Sequence, residues 1–485
     1  MRRLRFPVDR GPTAAIVRSG SSVRPDLGHP PAPALFPGLR PGSSVEVHVP
    51  VVRPFRALRY SPDVVADLAS VVAPPYDVIG PDEHRRLLAR DPRNVVRLDL
   101  PSPEPGDTDP DDRYRRAARL LATWRGDGTI RQDPRPTVSV VEDTYHLPGQ
   151  DEEHVRCGFF ARVRLEPFGT GIRAHERTMT GPKEDRYKLL RATGVNTSPV
   201  VAMYMDASGR VAELLSVVVA TPPGADIVDD HGVRHRLWTV ASGAGSAADE
   251  LCEAASAATL TIADGHHRYE TALRYRDERR VGAEGTDLGS EGVLMLLLEP
   301  KAGRLDILPT HRIALALDDE GVAALGARLP ELFDVERGVD VERLLAEFGP
   351  RAVGSGGEGR FGLWTRDGGV LLRARPDALA PHLPPGGPAL RRLDVTLLGA
   401  ALEAIVGIDA AAIAAGDRIA YTKDADEAIA MVRDRRDGAD AAFLLEPTPA
   451  SEMMAVAVEG DVMPQKSTYI YPKALTGLVI NPLEG

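Results

Sequence analysis

Cysteine is almost absent from this chain. Cys157 and Cys252 are the only two in 485 residues, so neither a disulfide framework nor a CxxC zinc pattern can be drawn, and a reducing cytoplasm is the expected compartment. Long apolar runs are missing as well: nothing approaches the ~20 residues that a membrane span needs. Arg2, Arg3 and Arg5 would suit the start of a secretion signal, but Pro7, Asp9, Arg10 and Pro12 stand where its apolar segment would have to be. Positive charge is not in excess. Lys and Arg number 59 against 70 Asp and Glu, a net charge of −11, which argues against a general nucleic-acid or acidic-membrane surface and leaves room for a local basic pocket. GxSxG and the protein-kinase signature set do not occur. HExxH is not matched by His175-Glu176-Arg177-Thr178-Met179, and Gln465 precedes Lys466 where a Walker A loop needs glycine. There is no repeat of fixed period and no sustained heptad pattern.

What is present is the composition of an ordinary globular protein, 43% hydrophobic and 27% charged, in a chain long enough for two or three domains. Residues 1–47, rich in Pro, Gly, Ser and Arg and without periodicity, read as a disordered extension or the product of an upstream start codon. Residues 48–315 are expected to form a core domain, 316–440 a helix-rich α/β region, and 441–485 a strand–helix–strand segment that packs back on the core. VVRPFRALRYSP, from Val51, and NVVRLDLP (Asn94–Pro101) have the apolar density of strands. APPYDVIG (Ala73–Gly80) is a Pro-fixed turn into a helix with Pro81 near its start. TVSVVEDTYHL and VRCGFFARVRLEPF predict a hairpin turning at Gly149-Gln150-Asp151. A helix capped by Thr180 and stopped at Gly194 follows, then strands in PVVAMYMD, GVLMLLLEP and RLDILPTHRIAL. Amphipathic helices around the hairpin RFGLWTRDGGVLLRAR come next. The alternation favours an α/β architecture, with α+β as its variant.

The most informative stretch is Thr259–Tyr275, TLTIADGHHRYETALRY. Leu260, Ile262 and Ala263 read as a buried strand that stops at Asp264-Gly265, after which Tyr269, Ala272, Leu273 and Arg276 recur at helical spacing. Asp264 is placed to cap the helix, and Gly265 lets the backbone approach a ligand closely. First-turn amides have no partner within the helix and carry the positive end of its dipole, so this geometry favours anions. His266, His267 and Arg268 add donors of the kind a phosphate needs.

Other segments carry chemistry too. His175 and Glu176 precede the charged run from Lys183 to Lys188, which suggests an active-site loop. In it Glu176 is base or metal ligand, His175 a phosphate donor and Lys183 a charge clamp; a solvated, salt-bridged helix face is the alternative. Lys466, Ser467 and Thr468 offer an ammonium and two hydroxyls to a phosphate or carboxylate, or else form the polar face of a terminal strand. His311 reads as a structural hydrogen-bonder, and Tyr76-Asp77 as an Asx turn.

Taken together, APPYDVI, HERTMTGPKEDRY, ADGHHRYETAL, LPTHR and MPQKSTYIYPKALTGLV resemble the bacterial and archaeal family catalogued as domain of unknown function 1015, from Val51 to the C-terminus. That resemblance implies no particular reaction. Gly265-His266-His267-Arg268 also resembles the nucleotide-phosphate motif of the sulfiredoxin/ParB superfamily. Sulfiredoxins carry Gly-Cys-His-Arg there, ParB proteins Gly-Glu-Arg-Arg, and archaeal free-serine kinases a related Asp-Gly-x-x-Arg element. This second resemblance implies a mixed sheet with a ParB/sulfiredoxin-like nucleotide site, Gly265 and the following amides against phosphates, and His267 and Arg268 as positive donors. The chain departs at His266, which is not the sulfiredoxin cysteine, so sulfinic-acid reduction is not expected.

The expectation is a cytoplasmic α/β enzyme that transfers a phosphoryl group between a nucleotide and a small polar metabolite such as free serine. ATP or ADP with Mg²⁺ is its expected cofactor set, with neither nucleic acid nor membrane as partner. Asp264, His267 and Glu176 are the expected catalytic residues. Gly265, His266, His267 and Arg268 are expected to bind nucleotide phosphate, and His175, Lys183, Lys466, Ser467 and Thr468 to bind substrate. Asp264 or Glu176 would deprotonate the acceptor or hold Mg²⁺. Two alternatives stand beside this: a metal-dependent hydrolase or phosphatase using Asp264, His266, His267, His175 and His311, and a non-enzymatic nucleotide sensor. The pattern names no acceptor, no direction of transfer, no specific metal and no oligomeric state.

Overall fold

Gly292–Leu298 reads GVLMLLL, and every residue of it is buried. A strand apolar on both faces belongs inside a sheet that is covered on both sides. In the computed structural model it pairs in parallel with Val200–Met203 and antiparallel with Glu153–Arg164. The structure describes residues 49–176, 180–281, 289–300, 305–349, 358–416 and 418–484. The expected extension 1–47, and Arg177 and Thr178 of the loop motif, lie outside the described residues.

From Val47 onward the chain packs as one unit. Among the described residues its larger sheet has nine strands and is mixed. The order is Ile172–Arg173, Leu260–Asp264, Val200–Met203, Gly292–Leu298, Glu153–Arg164, Thr137–His146, Arg234–Ala241 and Ala225–Val228, with Val52–Arg53 paired to Glu153–Arg164. Alternation sorts the central strands between two layers. Val200, Ala202, Val293, Met295 and Leu297 pack with Tyr187, Leu214, Leu251 and Tyr269 of the covering helices. Val201, Met203, Leu294, Leu296 and Leu298 share a second cluster with Ile470, Leu475, Leu478 and Val479 of the C-terminal segment. That cluster continues into a six-stranded antiparallel sheet, ordered Phe333–Val339, Gly368–Ala374, Arg360–Thr365, Ala439–Leu444, His311–Leu315 and Ile419–Thr422. The protein is of the α/β class, and no helix among the described residues is long and apolar enough to cross a membrane.

Some expected strands come out differently. NVVRLDLP forms the short helix Val96–Asp99. Asn94 causes this: its side chain accepts the Val96 N–H at 2.9 Å and donates to the Ser70 and Val72 carbonyls at 2.8 and 3.0 Å, which winds the backbone into a turn. VVRPFRALRYSP is divided after Pro54 into Val52–Arg53 and Leu58–Tyr60, which join different sheets. RLDILPTHRIAL changes sheet at Pro309. Asp306–Leu308 forms a ribbon with Tyr469–Tyr471, and His311–Leu315 enters the six-stranded sheet.

The hairpin of Thr137–His146 and Glu153–Arg164 carries a buried ionic row. His235, Asp143 and Arg156 lie opposite one another on three neighbouring strands. His235 Nδ1 donates to Asp143 Oδ1 at 2.7 Å, and Arg156 Nε and Nη2 donate to Asp143 Oδ2 at 3.0 and 2.6 Å. His235 Nε2 faces Asp229 Oδ2 at 3.3 Å. Burial alone would lower the His235 pKa, but Asp143 and Asp229 outweigh it and raise it to about 9.

A raised folded pKa stabilises while the proton is on. This contribution is therefore complete below pH ~6.5, the ordinary histidine value, and is lost as pH rises through about 9. Thermal unfolding followed from about pH 6 to about pH 9.5 is expected to cost the wild-type protein roughly 2–3 kcal/mol more than His235→Gln over that interval. Parallel pH profiles would show that the imidazolium contributes nothing.

Candidate functional site

The strand Leu260–Asp264 passes into the helix His266–Arg280 through Gly265, which has φ +86° and ψ 28°. Asp264 is expected from the sequence to cap this helix. Instead Gly265 occupies the cap position and brings no side chain to it. Asp264 turns to two cations: Oδ2 accepts from Arg268 Nη2 and Oδ1 from Lys473 Nζ, both at 2.8 Å. Two charge-assisted bonds outcompete one neutral amide. Burial would raise the Asp264 carboxyl, but Lys473 and Arg268 beside it hold it well below the usual carboxylate range.

Arg268 folds back along the glycine. A Cβ at position 265 would lie 2.9–3.0 Å from its guanidinium, so glycine is needed here for space as well as for its positive φ. Arg268 Nη1 also donates to Ser198 Oγ at 2.6 Å and to the Pro199 carbonyl. The arginine expected to bind nucleotide phosphate is thus spread over protein acceptors. It supplies charge and pins Asp264. The first helical bond runs from Tyr269 N–H to the Gly265 carbonyl at 3.0 Å, so the amides of His266, His267 and Arg268 precede the helical ladder.

These groups line a cavity of about 510 Å³, within the range of small-molecule sites. The nine-stranded sheet and its helix contribute Asp264, Gly265, His266, His267 and Arg268. Tyr76, Asp77 and Glu176 come from the first half of the chain. Thr310, Tyr421, Thr422 and Lys423 come from the edge of the six-stranded sheet, and Lys466, Thr468, Tyr469 and Lys473 from the C-terminal segment. Arg268, Lys423, Lys466 and Lys473 stand against Asp77, Glu176 and Asp264 in this lining, four cations to three carboxylates, so the cavity carries a small excess of positive charge.

Glu176 faces this wall. Its Oε1 accepts the Lys466 N–H at 2.8 Å, and burial raises its carboxyl to about 7 against the pull of the Lys466 and Ser467 amides and the Lys466 charge. Lys466 holds φ +54° in the turn that makes this contact.

His175 does not line the cavity. It is 1% exposed; its Nδ1 donates to the Ile262 carbonyl, and its Nε2 accepts from the Thr468 hydroxyl at 3.0 Å. The ring is neutral, with burial lowering its pKa to about 4. Both nitrogens are spent, so the expected phosphate-donor role has no free atom to carry it. His266 Nε2 accepts the His175 N–H at 3.3 Å, and burial holds that ring neutral as well. Lys183 pairs with Glu270, and the buried Ser467 donates to the Pro464 carbonyl at 2.6 Å; neither lines the cavity. Lys466 and Thr468 do. They lie in a turn ahead of Tyr469–Tyr471, not on a strand face. His311 accepts the Leu445 N–H at 3.1 Å inside the six-stranded sheet, so the expected His/carboxylate set does not converge. Among the described residues no three His, Cys, Asp or Glu side chains are placed to hold a metal ion.

Several lining residues stand outside the patterns that mark a site in the sequence. Lys473 Nζ lies 4.4 Å from the centre of the Tyr469 ring, and Lys423 Nζ 4.8 Å from the same ring. Tyr469 and Lys473 stand in the same motif as Lys466, where Lys-Ser-Thr is the more conspicuous pattern. Tyr76-Asp77 reads as a plain turn, and Lys423 has no local signal at all.

Fold and cavity together define an α/β protein with a cationic pocket between two sheets. The chain belongs to the family described as Protein of unknown function (DUF1015), whose profile matches residues 52–396. Comparison with curated proteins gives no match. Among solved structures it is similar to a free serine kinase in complex with AMP, at 13% identity and TM-score 0.32, covering 62% of this chain and 83% of that one. It is also similar to SbnI with C-terminal truncation from Staphylococcus aureus, at 13% identity and TM-score 0.34, covering 67% and 87%. A conserved hypothetical protein from Pyrococcus furiosus is similar at 14% identity and TM-score 0.29, covering 62% and 87%.

Gly265→Ala is expected to lower unfolding stability by roughly 1–3 kcal/mol, through strain at positive φ and displacement of Arg268. It should also weaken binding of inorganic phosphate, measured by calorimetry beside denaturant unfolding. Wild-type values for both would mean that neither the turn nor the Arg268 contact matters to the site.

Proposed function

We propose that the cavity holds a nucleotide by its phosphates and transfers a phosphoryl group to the hydroxyl of a small polar metabolite. One observation carries this: the uncapped helix start and the Lys473–Asp264–Arg268 cluster share a cavity with Glu176, whose carboxyl titrates at about 7. Phosphoryl transfer needs fixed positive charge around the transferred group and a base at the acceptor, and little else from the protein. The first-turn amides, Lys473 and Arg268 supply the charge. Glu176 is ionised in part near neutral pH, which suits a general base. It takes the acceptor's hydroxyl proton; the oxygen forms a bond to the terminal phosphorus, and the bond to the bridging oxygen breaks, its electron pair leaving with the shortened nucleotide. Asp264 is neutralised by its two cations, which suits it to holding them in place rather than to proton transfer. ATP or ADP is the donor, and Mg²⁺ enters on the nucleotide's own phosphate oxygens, as it commonly does. A hydroxyl-bearing amino acid such as serine is the acceptor class.

The test is incubation of the full chain with Mg²⁺, ATP or ADP and a panel of small hydroxyl metabolites, followed by phosphorus NMR. A phosphorylated acceptor is expected, with the rate rising with pH through about 7 as Glu176 deprotonates. Glu176→Gln should lose ~10²–10⁴-fold in turnover and abolish that rise, while nucleotide affinity stays nearly unchanged. Binding without turnover across the panel would favour the nucleotide sensor; absence of binding to either nucleotide would sink the proposal.

A further inference from the structure

Lys473 reaches the cavity from a segment that is gripped on its far side. The hairpin of Thr137–His146 and Glu153–Arg164 holds Tyr471 and Pro472 at two points. Asp306, paired with Tyr471 across the ribbon, accepts the Tyr145 hydroxyl at 2.8 Å and His154 Nδ1 at 2.6 Å. The Tyr145 ring stands edge-on to Tyr471, centroids 5.5 Å apart. Arg156 supplies the second point: its Nη1 donates to the Pro472 carbonyl at 2.6 Å. Pro472 is the residue directly before Lys473.

Arg156 is itself immobilised. It is buried, and Nε and Nη2 are committed to Asp143, which His235 holds from the other side. A planar guanidinium fixed along one edge can present its remaining nitrogen in only one direction. Lysine is different. Its ammonium rides on a flexible four-carbon stem, so its position depends on the backbone beneath it. Ahead of that backbone Lys473 meets Asp264 at 2.8 Å and the Tyr469 ring at 4.4 Å.

We propose that Arg156 is a positioning residue for Lys473: by holding the Pro472 carbonyl it keeps the ammonium on Asp264, and so sets the anion affinity of a cavity it does not line. Arg156, Asp143, Tyr145 and Asp306 are all outside the lining, so the effect passes through the backbone at Pro472. The inference rests on the reading that the cavity binds a phosphate group.

The experiment uses the full chain as wild type, Lys473→Met, Arg156→Met and Arg156→Lys. ADP affinity is measured by calorimetry, and lysine acylation rates by peptide mass mapping, with Lys188, half-buried and paired with Asp111 away from the cavity, as the reference. Lys473→Met should weaken ADP binding at least about tenfold. Arg156→Met should weaken it by a similar factor and speed acylation of Lys473 relative to Lys188, as the released ammonium leaves Asp264. Arg156→Lys keeps a cation beside Asp143 and gives up the fork; it should show both effects more weakly, and it serves where the methionine variant fails to fold. A folded Arg156 variant with ADP affinity within about twofold of wild type, or with Lys473 acylated at the wild-type rate, overturns the positioning role and leaves the phosphate reading standing. Wild-type protein that binds no ADP overturns the phosphate reading, and this inference with it.

Discussion

Asp264 is a carboxylate shared by two cations, one four residues along the chain and the other from its far end. Arg268 arrives from the first turn of the helix that follows the strand, and Lys473 from beyond the six-stranded sheet. A buried carboxylate is costly alone and stable once paired and hydrogen-bonded. Here the pairing also decides geometry. Arg268 has to fold back to reach Asp264, which requires glycine at 265. Lys473 has to cross the gap between the sheets, which closes the C-terminal segment over the core. Across the whole lining four cations face three carboxylates, and that small excess leaves the adjoining space attractive to anions.

The same region keeps its histidines neutral. His175 and His266 stack edge to face with centroids 4.6 Å apart; His175 uses both ring nitrogens on protein partners and His266 its Nε2. A second cation there would repel the first, and burial already disfavours charge on either ring. The pair joins three segments: the strand carrying Ile262, the loop carrying Glu176, and the turn carrying Thr468. Its work is to tie the loop that carries Glu176 to that strand and that turn, so this histidine pair is a scaffold for the cavity wall.

The family profile ends at residue 396, yet Tyr421, Lys423, Lys466, Thr468, Tyr469 and Lys473 line the cavity. The pocket is assembled from segments near both ends of the described residues. Pro309 is one reason: by passing the chain from the ribbon to the six-stranded sheet it delivers Thr310 to the gap and sets the sheet whose edge carries Tyr421 and Lys423. The buried row of His235, Asp143 and Arg156 is another, since it reaches across the nine-stranded sheet to the backbone at Pro472.

Much of the local structure was legible in the sequence. Strand, turn and helix around Asp264-Gly265 follow from apolar spacing and from the conformational freedom of glycine, both properties of neighbouring residues. The α/β class, the long hairpin and the fully apolar central strand follow from periodicity in the same way. NVVRLDLP misled because a short apolar run suits a strand or a buried helical turn, and Asn94 decides by bonding to Ser70 and Val72, which periodicity does not see. The site divides along the same line. The sequence by itself determined that Gly265–Arg268 would open a helix after a buried strand, with Glu176 and Lys466 as polar residues in chemically suggestive company. Only the tertiary structure decided that Asp264 binds cations instead of capping, that His175 is sealed inside, and that Lys473 completes the cavity. Those outcomes depend on long-range pairing of buried charges, whose cost and partners exist only once the chain has packed.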